Sequence, residues 1–215
     1  MLSRTSLCLP PGPKNQEVKR FQPNPNNCLL HVLIYNGEVP PIVNFLVPEQ
    51  IETERLVLRQ FKDQDWRDLH EYYSDVEATK YSVGRPLTEA DTWRTMCTMI
   101  GHWQLRRYGP YAAENKDTGK VIGPIGFWYP NDWPGPEIKW ALAPKYWGMG
   151  FAREAALAIQ EAGRLYLPDI SLISLIHHLN TPSIKLAVSI GAELDSKISF
   201  RNDTFNIYRH PQKVA

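Results

Sequence analysis

The stretch Glu137 to Glu154, EIKWALAPKYWGMGFARE, limits what this chain can fold into more than any other. It reads as a strand over Glu137 to Leu142, a loop carrying Gly148 and Gly150, and the start of an alanine-rich helix, Phe151 to Leu167, which Pro168 stops. The first turn of a helix leaves backbone N–H groups without partners and carries a partial positive charge, and glycines just before it let the main chain approach a ligand. Such a corner holds a phosphate or diphosphate without needing a lysine. Two common phosphate sites fit poorly: no GK[ST] follows for a P-loop, and Arg153 stands where a GxGxxG fingerprint needs its third glycine. On its own the GxG corner reads equally well as a tight turn between strand and helix.

The rest of the chain sets this corner in a mixed domain. Eight of the 18 prolines fall before residue 50, together with Asn24, Asn26 and Asn27. Proline at that density removes backbone donors and blocks helix, so residues 1–50 are expected to form an extended arm without a catalytic role, with Leu29 to Tyr35 and Ile42 to Val47 as lone strands. The domain itself is expected over residues 51–211. Arg55 to Arg59 alternates as a strand, and Asp63 is placed to cap a helix from Asp65 to Ser74. Thr88, with Asp91 three residues on, resembles a capping box for a helix running through Met96 and Trp103 until Gly109 and Pro110 end it. Three hairpin-linked strands follow at Tyr111 to Glu114, Val121 to Tyr129 and Glu137 to Leu142. After the alanine-rich helix, the nearly all-apolar Ile170 to Ile176 reads as a central strand. A short helix from Pro182 to Ile190 and strands at Glu193 to Phe200 and Thr204 to His210 complete the order βααβββαβαββ.

Composition narrows the partners. Lys plus Arg is 24 and Asp plus Glu is 23, a formal net charge of +1, too balanced to neutralise many phosphates, so no nucleic acid is expected. Cys8, Cys28 and Cys97 are odd in number and lack CxxC spacing, which argues against a disulfide framework and a zinc site and for a reducing compartment. No apolar run approaches the roughly 18 residues of a membrane helix. The start, MLSRTSLCLP, has no signal-peptide core. A cytoplasmic protein with no membrane association is therefore expected; the sequence is compatible with a homodimer.

TERLVLR from Thr53, GPYA from Gly109, TGKVIGPIGF from Thr118, the Glu137 stretch continuing through Ala156, and NTPSIKLAVSIGA from Asn180 follow one another over about Thr53 to His210. Together they resemble the GNAT superfamily of N-acetyltransferases, in the branch that includes ribosomal-protein N-terminal acetyltransferases. The superfamily's Q/R-x-x-G-x-G/A motif falls on Trp147 to Ala152, with Trp147 in the Gln or Arg position, a replacement common in that branch. The resemblance implies a mixed α/β fold of six or seven strands and about four helices, its sheet splayed between the fourth strand, Glu137 to Leu142, and the fifth. It also implies acetyl-CoA as cosubstrate, bound in that wedge, and an amine acceptor, either a small molecule or a protein N-terminus, with no metal. An amide near Leu142 would meet the pantetheine arm and the thioester oxygen. Amides of Trp147, Gly148, Met149, Gly150, Phe151 and Ala152 would hold the diphosphate, and Asn180 would contact the cofactor arm.

Acetyl transfer to an amine needs a neutral amine, a stabilised oxyanion and a proton for the leaving thiolate. An alkylamine of pKa about 10.4 is neutral to roughly one part in a few thousand at pH 7, a cost of about 4 to 5 kcal/mol that a general base offsets. Glu137 is the candidate base, with the alternative that it is a surface carboxylate paired with Lys139 or Lys145. The tyrosine that many family members use to protonate the thiolate falls on Ala187 here, so Ser183, one turn earlier, is the candidate replacement, water being the alternative. His177 is a third catalytic candidate as a proton relay, since it or His178 must face the wedge. Trp128, Trp133, Trp140 and Trp147 are expected mainly as core, with an acceptor pocket as the second reading. Two other readings of the whole chain stay open: a CoA-binding module with little catalysis, and an interaction protein that uses its proline-rich arm.

Overall fold

The computed structural model describes residues 44–211. The expected strand at Leu29 to Tyr35 lies outside them, as does most of the expected arm. Of the strand foreseen at Ile42 to Val47, residues 42–43 lie outside the described residues, and 44–47 are irregular, with a bend at Leu46 and Val47. They are stitched to the domain instead: Leu46 N–H donates to Arg107 O at 2.7 Å, Phe45 meets the Trp103 ring edge-on at 5.2 Å, and Val47 is buried.

The strands are β1 (Gln50–Glu52), β2 (Leu56–Arg59), β3 (Pro110–Asn115), β4 (Val121–Trp128), β5 (Glu137–Trp140), β6 (Ile173–His177), β7 (Glu193–Phe200) and β8 (Asp203–Arg209). The helices are α1 (Trp66–Tyr73), α2 (Val76–Thr79), α3 (Glu89–Arg106), α4 (Phe151–Tyr166) and α5 (Thr181–Ser189). This is the expected order with β1 and α2 added, both too short to leave a periodic signal. Thr88 caps α3 as foreseen, its Oγ1 accepting from Asp91 N–H at 3.1 Å. Asp63 does not cap α1: a 3-10 turn over Asp63–Asp65 precedes that helix. The carboxylate that bonds backbone there is Asp65, which accepts from Lys62 N–H at 2.7 Å and pairs with Arg59.

All eight strands join one sheet in the order β1-β2-β3-β4-β5-β6-β8-β7. Every neighbouring pair is antiparallel except β5 and β6, which are parallel. Alternation sends Leu56, Leu58, Phe127 and Ile138 toward α4, whose Ala155, Ile159 and Ala162 bury against them. On the other face α1 and α3 bring Leu69, Tyr72, Met96 and Met99 onto Ala112 and Val121. Those helices cover the β3 and β4 side of that face, and the segment after α2 reaches β6, where Tyr81 stacks on His177 at 4.8 Å.

The parallel pair is the weak point of the ladder. Glu137 opposite Ile173 is its one register pair, after which the strands part. Side chains then take over the backbone's hydrogen bonds: Ser174 Oγ donates to Ile138 O at 2.7 Å, and Leu175 N–H reaches Glu137 Oε2 at 3.4 Å. With its hydroxyl proton committed to Ile138, Ser174 Oγ accepts at 2.9 Å from His210 Nε2. Gln160 Nε2 donates to both Ile190 O and His210 Nδ1 at 3.0 Å, which fixes the imidazole as the neutral Nε2–H tautomer.

Burial pushes His210 down to about 4. The unfolded chain therefore takes up a proton that the folded chain refuses, and stability present above pH 6.5 is lost as the pH falls toward 4. Between pH 7 and pH 5 this one group should lower unfolding free energy by about 2 kcal/mol. Urea titrations at the two pH values should show that loss in the wild type and a smaller one in His210→Gln.

Candidate active site

The corner between β5 and α4 takes its shape from two left-handed glycines, Gly148 at φ 73° and Gly150 at φ 84°. A Cβ at Gly150 would sit 3.3 Å from Arg55 Nη2. Among the described residues, no group accepts a hydrogen bond from the backbone N–H of Gly148, Met149, Gly150, Phe151, Ala152 or Arg153. Six successive donors at the positive end of a 16-residue helix form an anion seat. The Trp147 amide, expected in that set, is spent on Pro144 O at 3.0 Å, because a 3-10 turn over Pro144–Tyr146 closes on it. The indole Nε1 of Trp147 donates to Leu142 O at 2.7 Å, while among the described residues nothing accepts from Leu142 N–H.

A clamp from the residues just before β2 holds this corner, and sequence reasoning missed it because its partners lie about a hundred positions apart. Arg55 Nη1 donates to Met149 O at 2.8 Å, and its Nε donates to Glu154 Oε2 at 2.7 Å. Glu154 Oε1 also accepts from Arg55 N–H at 2.8 Å and from the Thr53 hydroxyl at 2.5 Å. The guanidinium lies 4.3 Å above the Phe151 ring. Burial alone would raise the Glu154 pKa, but the hydrogen bonds from Thr53 and Arg55 hold it below the ordinary carboxylate range. The clamp thus fixes both the loop carbonyl and the first turn of α4, and so the direction of the free amides.

Glu137, Leu175 and His177 face the side of the sheet away from α4, where β5 and β6 diverge. Glu137 is 5% exposed, not a surface carboxylate, and Lys145 pairs instead with Glu71. Trp133 Nε1 donates to its Oε2 at 2.8 Å, while among the described residues nothing donates to Oε1. Burial raises its pKa, with Lys139, Trp133 and the Leu175 amide pulling the other way.

Asn180 lies just past β6 and caps α5, its Oδ1 accepting from Ser183 N–H at 3.3 Å. Ser183 Oγ accepts from Trp140 Nε1 at 3.3 Å, so its own proton stays free to donate across the wedge. Ala187 is fully buried among Ile176, Ala192 and Tyr208, with Trp140 packed on this cluster. His177 is buried between Tyr81, stacked at 4.8 Å, and Phe205. Its Nδ1 accepts from Leu179 N–H at 3.2 Å, so Nε2 carries the proton and donates to Asp203 at 2.9 Å. Both ring nitrogens are engaged, which leaves no lone pair for the proton relay expected of it.

His177, His178 and Asp203 also bring three potential metal ligands together. The donor set does not suit a metal as it stands. His177 Nε2 carries a proton, and His178 Nδ1 donates to Thr204 O at 2.9 Å. Of the four tryptophans, none is fully buried; Trp128, Trp133 and Trp140 are half-buried and Trp147 is exposed.

Comparison with known proteins places these features in an acetyltransferase. Residues 55–193 match the family model of the acetyltransferase (GNAT) domain, and the chain belongs to that family. It is 35% identical over 145 residues to the uncharacterized N-acetyltransferase p20 of Bacillus licheniformis, covering 66% of this chain and 82% of that protein. An acetyltransferase from Agrobacterium tumefaciens superposes with a TM-score of 0.66 at 29% identity, over 76% of this chain and 94% of the other. The fold is shared, at 17% identity and a TM-score of 0.63, with the ribosomal L7/L12 α-N-protein acetyltransferase RimL, solved with coenzyme A; 75% of this chain and 97% of that one are covered. Among the described residues no helix is long and apolar enough to cross a membrane.

Removing either side of the Arg55–Glu154 clamp should loosen the corner. Arg55→Ala is expected to cost about 1 to 2 kcal/mol and Glu154→Ala about 2 to 3 kcal/mol, with a double mutant less destabilised than their sum by about 1 kcal/mol. A double-mutant cycle in urea measures all three values.

Proposed function

We propose that this protein moves an acetyl group from acetyl-CoA to a primary amine by direct attack within a ternary complex, in the cytoplasm and without a metal. The observation that carries this reading is the run of six free amides at the start of α4, next to a sheet that opens one register pair away from Glu137. The amides from Gly148 to Arg153 would hold the diphosphate. The free N–H of Leu142 would take the pantetheine arm or the thioester oxygen, where a donor aimed at developing negative charge lowers the barrier. Asn180 would meet the arm through its amide nitrogen.

In this reading Glu137 takes the proton from the incoming amine, directly or through water, at Oε1. A carboxylate whose pKa is raised by burial is a stronger base than an exposed one. The amine nitrogen forms its bond to the carbonyl carbon, the tetrahedral oxyanion collapses, and the C–S bond breaks. Ser183, whose hydroxyl proton is uncommitted, donates to the departing thiolate in place of the family tyrosine. His177 serves by holding the wall of the wedge through its contacts to Tyr81, Asp203 and Leu179. The domain that does this spans residues 51–211, with the preceding residues outside the chemistry.

Free-thiol release from acetyl-CoA over a panel of amines, amino acids and peptide N-termini tests the reaction. Glu137→Gln should lower kcat by about 10² to 10⁴ while acetyl-CoA still binds. Because burial raises the pKa of the base, wild-type activity should fall as the pH drops through a value above the ordinary carboxylate range, and that acid limb should vanish in the variant. A substitution with unchanged kcat would remove Glu137 from the mechanism.

Acetyl-CoA at about 100 times its dissociation constant should stabilise the wild type by about 2.7 kcal/mol. Gly150→Val places a branched side chain at φ 84° against Arg55 and should abolish that thermal shift. No shift in the wild type would overturn the acyl-donor assignment.

A further inference from the structure

On the sheet face that carries Glu137, Lys139 has no hydrogen-bonded or ion-paired partner among the described residues. Lys139 lies two residues after Glu137 on β5, so alternation points both side chains to this face. Its Nζ sits 4.9 Å from the centre of the half-buried Trp128 ring. Among the described residues no acceptor lies within hydrogen-bonding distance of it and no carboxylate lies within 4.0 Å, and the residue is half-buried.

The neighbouring charges are already committed. Asp203 is held by His177, and Asp132 is taken by Arg201 at 2.6 Å. Glu137 turns toward Trp133 and Leu175. His102, which stacks on Trp128 at 4.9 Å, donates from Nδ1 to Tyr108 O and accepts at Nε2 from Tyr129 N–H, so it is neutral and offers Lys139 nothing. Burial lowers the Lys139 pKa while Glu137 pulls it back up. An ammonium taken largely out of water without a counter-ion is costly, and an incoming anion relieves that cost.

Resting on the acetyltransferase reading above, we infer that the acceptor is a primary amine bearing a carboxylate close to the reacting nitrogen, and that Lys139 selects it by pairing with that carboxylate beside Trp128. An α-amino acid, or a peptide whose first residue is Asp or Glu, meets this description. Polyamines and aminoglycosides do not: they would add positive charge beside the Lys139 ammonium. The aromatic and apolar side chains around the site, Trp128, Trp133, Phe200 and Phe205, limit water there and so strengthen the pairing.

Matched acceptors that differ only in charge test this. Leucine is compared with leucinamide, and the peptide Glu-Ala-Ala with Gln-Ala-Ala, alongside spermidine, each followed by free-thiol release. Wild-type kcat/KM should favour the carboxylate member of at least one pair by about tenfold or more, and the pair that responds tells a free amino acid from a peptide terminus. Lys139→Met should bring that ratio close to one, and Lys139→Glu should invert it toward spermidine and the uncharged members. A wild-type preference for the amides or for spermidine overturns the inference without use of any variant, as does a ratio unchanged in Lys139→Met. Binding of acetyl-CoA by thermal shift, recorded on the same samples, separates the two levels. A shift and turnover without charge selection sink the Lys139 assignment alone; no shift and no turnover on any amine sink the acetyl-transfer reading and this inference with it.

Discussion

The rest of the site depends on the failure of one ladder. A sheet interior normally satisfies each backbone donor and acceptor with its neighbour, and leaving them unpaired is costly. Here β5 and β6 pair at Glu137 and Ile173 and then part. The break is tolerated because the Ser174 hydroxyl donates to Ile138 O and the Glu137 carboxylate accepts from Leu175 N–H where the neighbouring strand would have supplied backbone groups. His210 and Gln160 in turn hold Ser174 from behind. A gap between strands thus becomes a fixed feature of the native state, and it leaves the Leu142 amide and the carboxylate of Glu137 at its edge.

The same economy shapes the corner that follows. Gly148 and Gly150 turn the chain into α4, and among the described residues nothing accepts from the six amides there. Left to itself such a loop would sample many conformations. Arg55 and Glu154 remove that freedom by binding a loop carbonyl, the first helical turn and the residues just before β2 as one unit. Preorganised donors lose little entropy when an anion arrives, which is where their binding strength comes from.

On the sheet face away from α4 burial acts on two groups of opposite sign. It raises the carboxyl of Glu137 and lowers the ammonium of Lys139, each toward its neutral form, while their mutual attraction works against both shifts. A base that accepts a proton and a cation that seeks an anion then stand two residues apart on one strand, bordered by Trp128 and Trp133. In the proposed reaction, chemistry and acceptor choice would then rest on two side chains of β5 that share one face.

Local signals were enough for much of this. The capping threonine at 88, the stop at Pro168, the glycines at 148 and 150 and the alternation of the strands depend on near neighbours, and each reads directly from the order of residues. Those signals located the corner, and the family resemblance suggested Glu137, Asn180 and Ser183 as its companions around one wedge. Four facts were decided only by folding. Asp65 rather than Asp63 bonds the chain before α1, because Arg59 lies across from it. The Trp147 amide is lost to a 3-10 turn. Arg55 grips a loop 94 positions away. Lys139, which stands near one carboxylate in sequence and could pair with another in space, has neither within 4.0 Å. Sequence determines which local conformations are cheap; which charges meet, and which are left waiting for a ligand, is fixed by contacts that exist only once distant segments have packed.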